Sequence, residues 1–85
     1  MDPKPPVDTD RIDDAALALL LLGVWQKDPF SRALRTWKSF DWGVMNRLHE
    51  KGLIDDPVSK AKSVWLTEDG VKRAEAVFDE LFRRA

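Results

Sequence analysis

Apolar residues fall into three helix-length blocks separated by shorter extended runs. The first block runs from Thr9 to about Gln26, with the apolar centre "AALALLLLGVW" at residues 15–25. An apolar surface nearly all round predicts a helix buried on more than one side, either central to the fold or also touching a second subunit. Thr9 or Asp10 offers its N-cap, and Asp13 and Asp14 fall in a first turn where the helix dipole favours carboxylates. The second block is Trp42 to Lys51, with Ser39 or Asp41 as cap. At about 100° per residue, Trp42, Val44, Met45, Leu48 and His49 share one side. Gly43, Asn46, Arg47, Glu50 and Lys51 share the other. Gly52 is the expected left-handed stop. Leu53-Ile54 then begins a strand, "DDPVSKAK" is a loop and "SVWL" the returning strand. Thr67 caps the third block, where Val71, Ala74, Val77, Phe78, Leu81 and Phe82 form a stripe at helical spacing. Between the first two blocks, Asp28-Pro29 marks a turn, Ser31–Leu34 allows one helical turn, and "RTWKSF" suits a short strand.

The order is helix, short strand, helix, strand, loop, strand, helix. It predicts an α+β fold that is winged-helix-like, mainly helical with a small antiparallel sheet of two to three short strands. One helix of the usual winged-helix set is missing or degenerate. Residues 1–8, with three prolines, are expected to be a flexible tail, and residues 9–85 a single domain. The run "LHEKGLI" followed by "SVWLTEDG" resembles winged-helix regulators of the multiple-antibiotic-resistance and phenolic-acid types. Leu48, Gly52, Leu53, Ile54, Val64, Leu66, Thr67 and Gly70 carry the match. These are structural positions, so the resemblance implies a fold more than a function. Over residues 9–82, "TWKSFDW", "RLHEKGLI" and "KAKSVWLTEDG" are similar to a small bacterial family of unknown function. That resemblance implies no activity, cofactor or catalytic residue. The chain departs from it in the proline-bearing tail and a longer Gln26–Leu34 segment.

The absence of cysteine removes disulfides, thiolate chemistry and cysteine-ligated metals, and favours a cytoplasmic location. The apolar run at 15–25 is shorter than the roughly 20 residues a membrane helix needs. Asp13 and Asp14 at its start also count against a signal peptide, so no membrane partner is expected. A formal net charge of −1 counts against strong nucleic-acid binding, but the charge is uneven. Residues 1–26 hold two basic and five acidic side chains, and residues 27–62 hold eight and five.

The basic middle defines the first candidate surface, a DNA-binding one. Asn46, Arg47 and Lys51 would sit on the groove-facing side of the second helix, where Asn and Arg make bidentate contacts to adenine and guanine. Lys60 and Lys62 in the wing loop, with Arg35 and Lys38 before the helix, would meet phosphates. Opposing this are Glu50 on the same face, Asp55 and Asp56 at the wing base, and a 41–51 segment that is net neutral. The plain alternative is a set of solvated charges.

The second candidate is a protein interface. Strand alternation turns Trp65 outward if Val64 and Leu66 face the core, and an exposed tryptophan is a typical hot-spot residue. Alternatively, Trp65 lies over the stem of Lys38 or Lys62. Trp42, Val77, Phe78, Leu81 and Phe82 complete this interface set, for a homodimer or another protein. Catalysis is not expected: His49 is the only histidine, and Asp13-Asp14 and Asp55-Asp56 are explained by helix starts and turns. No metal-ligand spacing, phosphate loop or cofactor motif is present.

Overall fold

A computed structural model describes residues 6–38, 40–58 and 62–84. Ser39, Lys60 and most of the expected tail lie outside these described residues. Helix α1, Thr9–Leu20, is capped by Asp8 rather than by Thr9 or Asp10. The Asp8 carboxylate accepts the Arg11 N–H at 3.2 Å, satisfying one of the orphan donors of the first turn. The helix stops six residues short of the expected Gln26. A 3-10 turn, Leu21–Gly23, leads directly into strand β1, Val24–Lys27. Trp25 therefore belongs to a strand and does not close the first helix. A continuous apolar run does not distinguish helix from strand by periodicity. Two contacts across the chain decide it here. The Thr36 hydroxyl donates to the Leu20 carbonyl at 2.6 Å, taking up an end-of-helix acceptor. From Val24 onward the backbone pairs with β2, Leu34–Trp37.

The helical turn expected at Ser31–Leu34 is instead a hairpin connection built on Asp28. Its carboxylate accepts the Phe30 N–H and the Ser31 hydroxyl, each at 2.9 Å, while its own N–H donates to the Ala33 carbonyl at 3.0 Å. Helix α2, Trp42–Glu50, begins at an Asp41 cap as expected and buries Val44, Met45 and Leu48. Gly52 follows with φ of +75°, the only positive φ among the described residues.

The strand expected at Leu53-Ile54 reduces to one bridge, Ile54 to Leu66. The Leu53 backbone is already committed: its N–H donates to the Leu48 carbonyl at 3.0 Å, and its carbonyl accepts the Thr67 N–H at 3.1 Å. The returning strand β3, Ser63–Leu66, pairs with β2 instead. The result is a three-stranded antiparallel sheet in the order β1-β2-β3. Helix α3, Glu68–Phe82, starts at Thr67, whose hydroxyl accepts the Gly70 N–H at 3.0 Å. Three helices and one small sheet make an α+β fold consistent with a winged-helix-like shape.

Opposed residues share a face of an antiparallel sheet. Leu34↔Leu66 and Thr36↔Val64 point inward, onto a core centred on Leu17, Leu20, Met45, Leu48, Ile54 and Ala74. Each fully buried leucine contributes about 1.5–3 kcal/mol. Arg35↔Trp65 and Trp37↔Ser63 define the outer face. Among the described residues, no helix is long and apolar enough to cross a membrane.

Gly52 separates backbone strain from steric conflict, because a Cβ there would meet nothing within 4 Å. Gly52→Ala is therefore expected to destabilise by about 1 kcal/mol through left-handed backbone strain alone, and Gly52→Val by more. Denaturant titration checks this; an unchanged midpoint in both variants would contradict it.

Candidate functional site

Among the described DNA-contact candidates, the cations fall at two places, α2 against α1 and the outer face of the sheet. Arg47 on α2 and Lys51, the C-cap of that helix four residues on, turn toward α1 and close on Asp13, a carboxylate with no exposed surface. The Arg47 Nε lies 2.8 Å from Asp13 Oδ2 and its Nη2 lies 2.8 Å from Oδ1, a bidentate fork. Lys51 Nζ reaches the same Oδ2 at 3.0 Å and Asp10 Oδ1 at 2.9 Å. Burial by itself pushes the Asp13 carboxyl up, but the hydrogen bonds and charges of Arg47 and Lys51 outweigh it, so the carboxyl titrates below its ordinary range. The hydrogen bond to Asp13 likewise raises the Arg47 guanidinium, and the one to Asp10 raises Lys51. Asp13 is thus the centre of a cluster joining α1 to α2, beyond the helix-start role expected of it. Asp14 beside it pairs with Arg73 of α3 at 2.6 Å.

Arg35 lies on the outer face of the sheet. Its Nε donates to the Ser63 hydroxyl at 2.8 Å, and its guanidinium carbon sits 5.1 Å from the Trp25 ring centre and 5.6 Å from that of Trp65. Trp25 stacks on Trp37, with ring centres 5.3 Å apart and planes 26° apart. The contacts run in sequence from Trp37 through Trp25 and Arg35 to Trp65. The β-bulge at Trp25 builds this chain: the register steps from Val24↔Thr36 to Gln26↔Arg35, leaving Trp25 as the extra residue. Trp65 is half-buried, with the Arg35 guanidinium over its ring, and its backbone N–H donates to the Asp55 carboxylate at 2.8 Å. Trp25 and Trp37 keep 47% and 50% of their surface exposed and, stacked together, make one continuous apolar patch. Lys38 and Lys62 are joined through the backbone at the end of the sheet beside Trp37, with the Lys38 N–H donating to the Lys62 carbonyl at 2.9 Å. Asn46 is partly exposed on α2, and Lys60 lies outside the described residues.

The interface candidates also divide. Trp42 is half exposed at the start of α2, whereas Val77 is buried. Phe78 is partly covered, making an edge contact with Phe82 at 5.4 Å, and Leu81 and Phe82 are exposed near the end of α3. His49 is exposed, with Nδ1 3.3 Å from the Ile54 carbonyl oxygen.

Sequence reading missed the Trp25–Trp37 pair by assigning Trp25 to a helix. It also missed the ion cluster, although the spacings signal it. Asp10 and Asp13 stand three apart on α1, while Arg47 and Lys51 stand four apart along α2 and its C-cap. Each pair falls on one helix face, with opposite sign.

The family described as a domain of unknown function, DUF6429, matches residues 8–84. The chain is also similar to an uncharacterised protein of Sinorhizobium fredii, y4hR. That relative is 49% identical over 78 residues, spanning 92% of this chain and 97% of the relative. No solved structure matches the chain. Matched along nearly its whole length, the chain belongs to the DUF6429 family of domains of unknown function.

Proposed function

We propose that this protein is a non-catalytic binding domain whose working surface is the outer face of the sheet, with α2 serving the scaffold. The observation that carries this reading is the exposed tryptophan pair Trp25–Trp37, held by Arg35 on a rigid three-stranded support. Tryptophan and arginine are the residues most enriched where partners bind tightly. Sites built on strands also hold their geometry better than sites on loops.

The alternative is a DNA-binding regulator that reads the major groove with α2 and contacts phosphate through the wing. It keeps Asn46 as a base-reading candidate. Against it, Arg47 and Lys51 already neutralise Asp13 and Asp10, so turning either toward DNA would leave a buried carboxylate poorly compensated.

The two readings separate in an affinity experiment with immobilised protein from cell extract, scored for bound protein and nucleic acid together. Captured material should be lost with Trp37→Ala and kept with Asn46→Ala. The reverse pattern would transfer the function to α2.

A further inference from the structure

The partner of the sheet face can be narrowed by its chemistry. Residues 24–38 and 62–66 contribute five cations, Lys27, Arg32, Arg35, Lys38 and Lys62, against the single carboxylate of Asp28. The chain as a whole has a net charge of −1, so everything outside these two segments is net negative. Arg47 and Lys51 do not add to a second positive surface, because the aspartates of α1 take them up. The sheet segments therefore carry the positive excess of the sequence, with two carboxylates reaching them from outside, Asp55 to the Trp65 backbone N–H and Glu68 to that of Arg32, and the exposed indoles lie within them.

We infer that the sheet face binds single-stranded nucleic acid, with a base stacking on the exposed side of Trp37 and phosphates held by Arg35 and Lys62. This rests on the reading of the sheet face as the binding surface. The pairing of features favours a single strand over other anions. An acidic peptide would satisfy the cations but has little use for two flat, half-exposed rings. A duplex satisfies the cations too, but its base faces are hidden in its own stack. An unpaired strand offers both a π-face on every base and a charge at every step. Open antiparallel sheets are known to stack two or three bases on exposed aromatics in this way. Trp25 is held between Trp37 and Arg35 and supports Trp37 from one side, so little side-chain entropy remains to be lost when a base stacks on Trp37. The contacts involve no base-edge donor or acceptor that the described geometry singles out, so binding is expected to tolerate sequence.

The test is fluorescence anisotropy with labelled oligouridylate and oligothymidylate of about ten nucleotides, a length within the range one small domain covers. A mixed-sequence duplex and a glutamate-rich peptide are run in parallel, the peptide read by quenching of tryptophan emission. Single strands should bind more tightly than the duplex at about 50 mM salt and weaken markedly by about 200 mM. Trp37→Ala should weaken single-strand binding about 5- to 100-fold, the loss of one stacked base. Lys62→Glu, at an exposed position outside any strand, should weaken it and flatten the salt slope while leaving the fold intact. It keeps the test decisive if Trp37→Ala proves unstable. Asn46→Ala should change nothing. If single strands fail to bind while the peptide quenches tryptophan in a Trp37-dependent way, the nucleic-acid inference is overturned and the sheet face stands as a binding surface. If the duplex binds best and Asn46→Ala weakens it, both are overturned. If neither ligand class binds at about 50 mM salt, where the electrostatic attraction is near its strongest, the inference is overturned as well.

Discussion

Gly70→Ala is expected to destabilise the protein by roughly 3 kcal/mol or more, the reverse of what helix propensity predicts. Replacing glycine by alanine inside a helix ordinarily gains about 1 kcal/mol. Here a Cβ on Gly70 would stand 1.8 Å from the Leu53 carbonyl oxygen and 2.8 Å from its carbon. Neither atom is the movable end of a side chain. The Leu53 carbonyl accepts the Thr67 N–H, which sets the start of α3, and the Leu53 N–H closes the end of α2. Relief of the collision must therefore separate α3 from the segment after α2, breaking these bonds or opening the core around Ile54 and Val71. Overpacking costs about 1–3 kcal/mol where side chains can yield, so a backbone collision belongs at or beyond the upper end. A domain of this size would lose about 12 °C or more in Tm. Thermal unfolding by circular dichroism checks the sign as well as the size. A stabilised Gly70→Ala would mean that α3 does not approach Leu53 this closely.

Asp13→Ala should be nearly as damaging, by roughly 3 kcal/mol. Breaking a buried ion pair costs about 3–5 kcal/mol. The lower end applies because the Arg47 and Lys51 side chains are 36% and 35% exposed and can be partly solvated once released. The pH dependence carries a definite sign. The folded carboxyl titrates below its ordinary value, so the unfolded chain takes up this proton first as pH falls. The contribution of Asp13 to stability is complete above the unfolded value of about 3.9 and is lost as pH falls through the lower folded value. The wild type should therefore lose stability steeply below about pH 4, and Asp13→Asn should be less stable at neutral pH with a shallower acid limb. Urea unfolding at a series of pH values checks both. Parallel acid limbs in the two proteins would remove Asp13 from the centre of the α1–α2 contact.

Local signals carried most of the fold. Helices α2 and α3 begin at the caps their sequences name, Asp41 and Thr67, because a capping side chain acts within three residues. Gly52 stops α2 with positive φ for an equally local reason. The errors arose where a distant partner decides the outcome. Leu21–Gln26 follows the apolar run of α1 and reads as helix, yet pairing with β2 makes it turn and strand. Leu53 has strand-like neighbours, but its two backbone groups are claimed by Leu48 and Thr67 before any ladder can form. The same distinction governs the site. An exposed position for Arg47 and Lys51 follows from the wheel of α2, but Asp13 stands 34 residues from Arg47 and supplies the charge that captures both. The outer-face position of Trp65 follows from alternation within β3, while its cover comes from Arg35 on another strand.

Binding through the outer face of the sheet, and not through α2, can be read from the protein's own tryptophans. Three of the four indoles, Trp25, Trp37 and Trp65, lie on the sheet, and the fourth, Trp42, begins α2. The most direct measurement is a proton–nitrogen correlation spectrum of the four indole N–H groups, titrated separately with a short single strand and a duplex. The predicted result is that the single strand shifts Trp37 and Trp25 most, moves Trp65 less, and leaves Trp42 and the Asn46 amide in place. Shifts led by Trp42 and Asn46 on adding duplex, with Trp25 and Trp37 unmoved by either ligand, would contradict it.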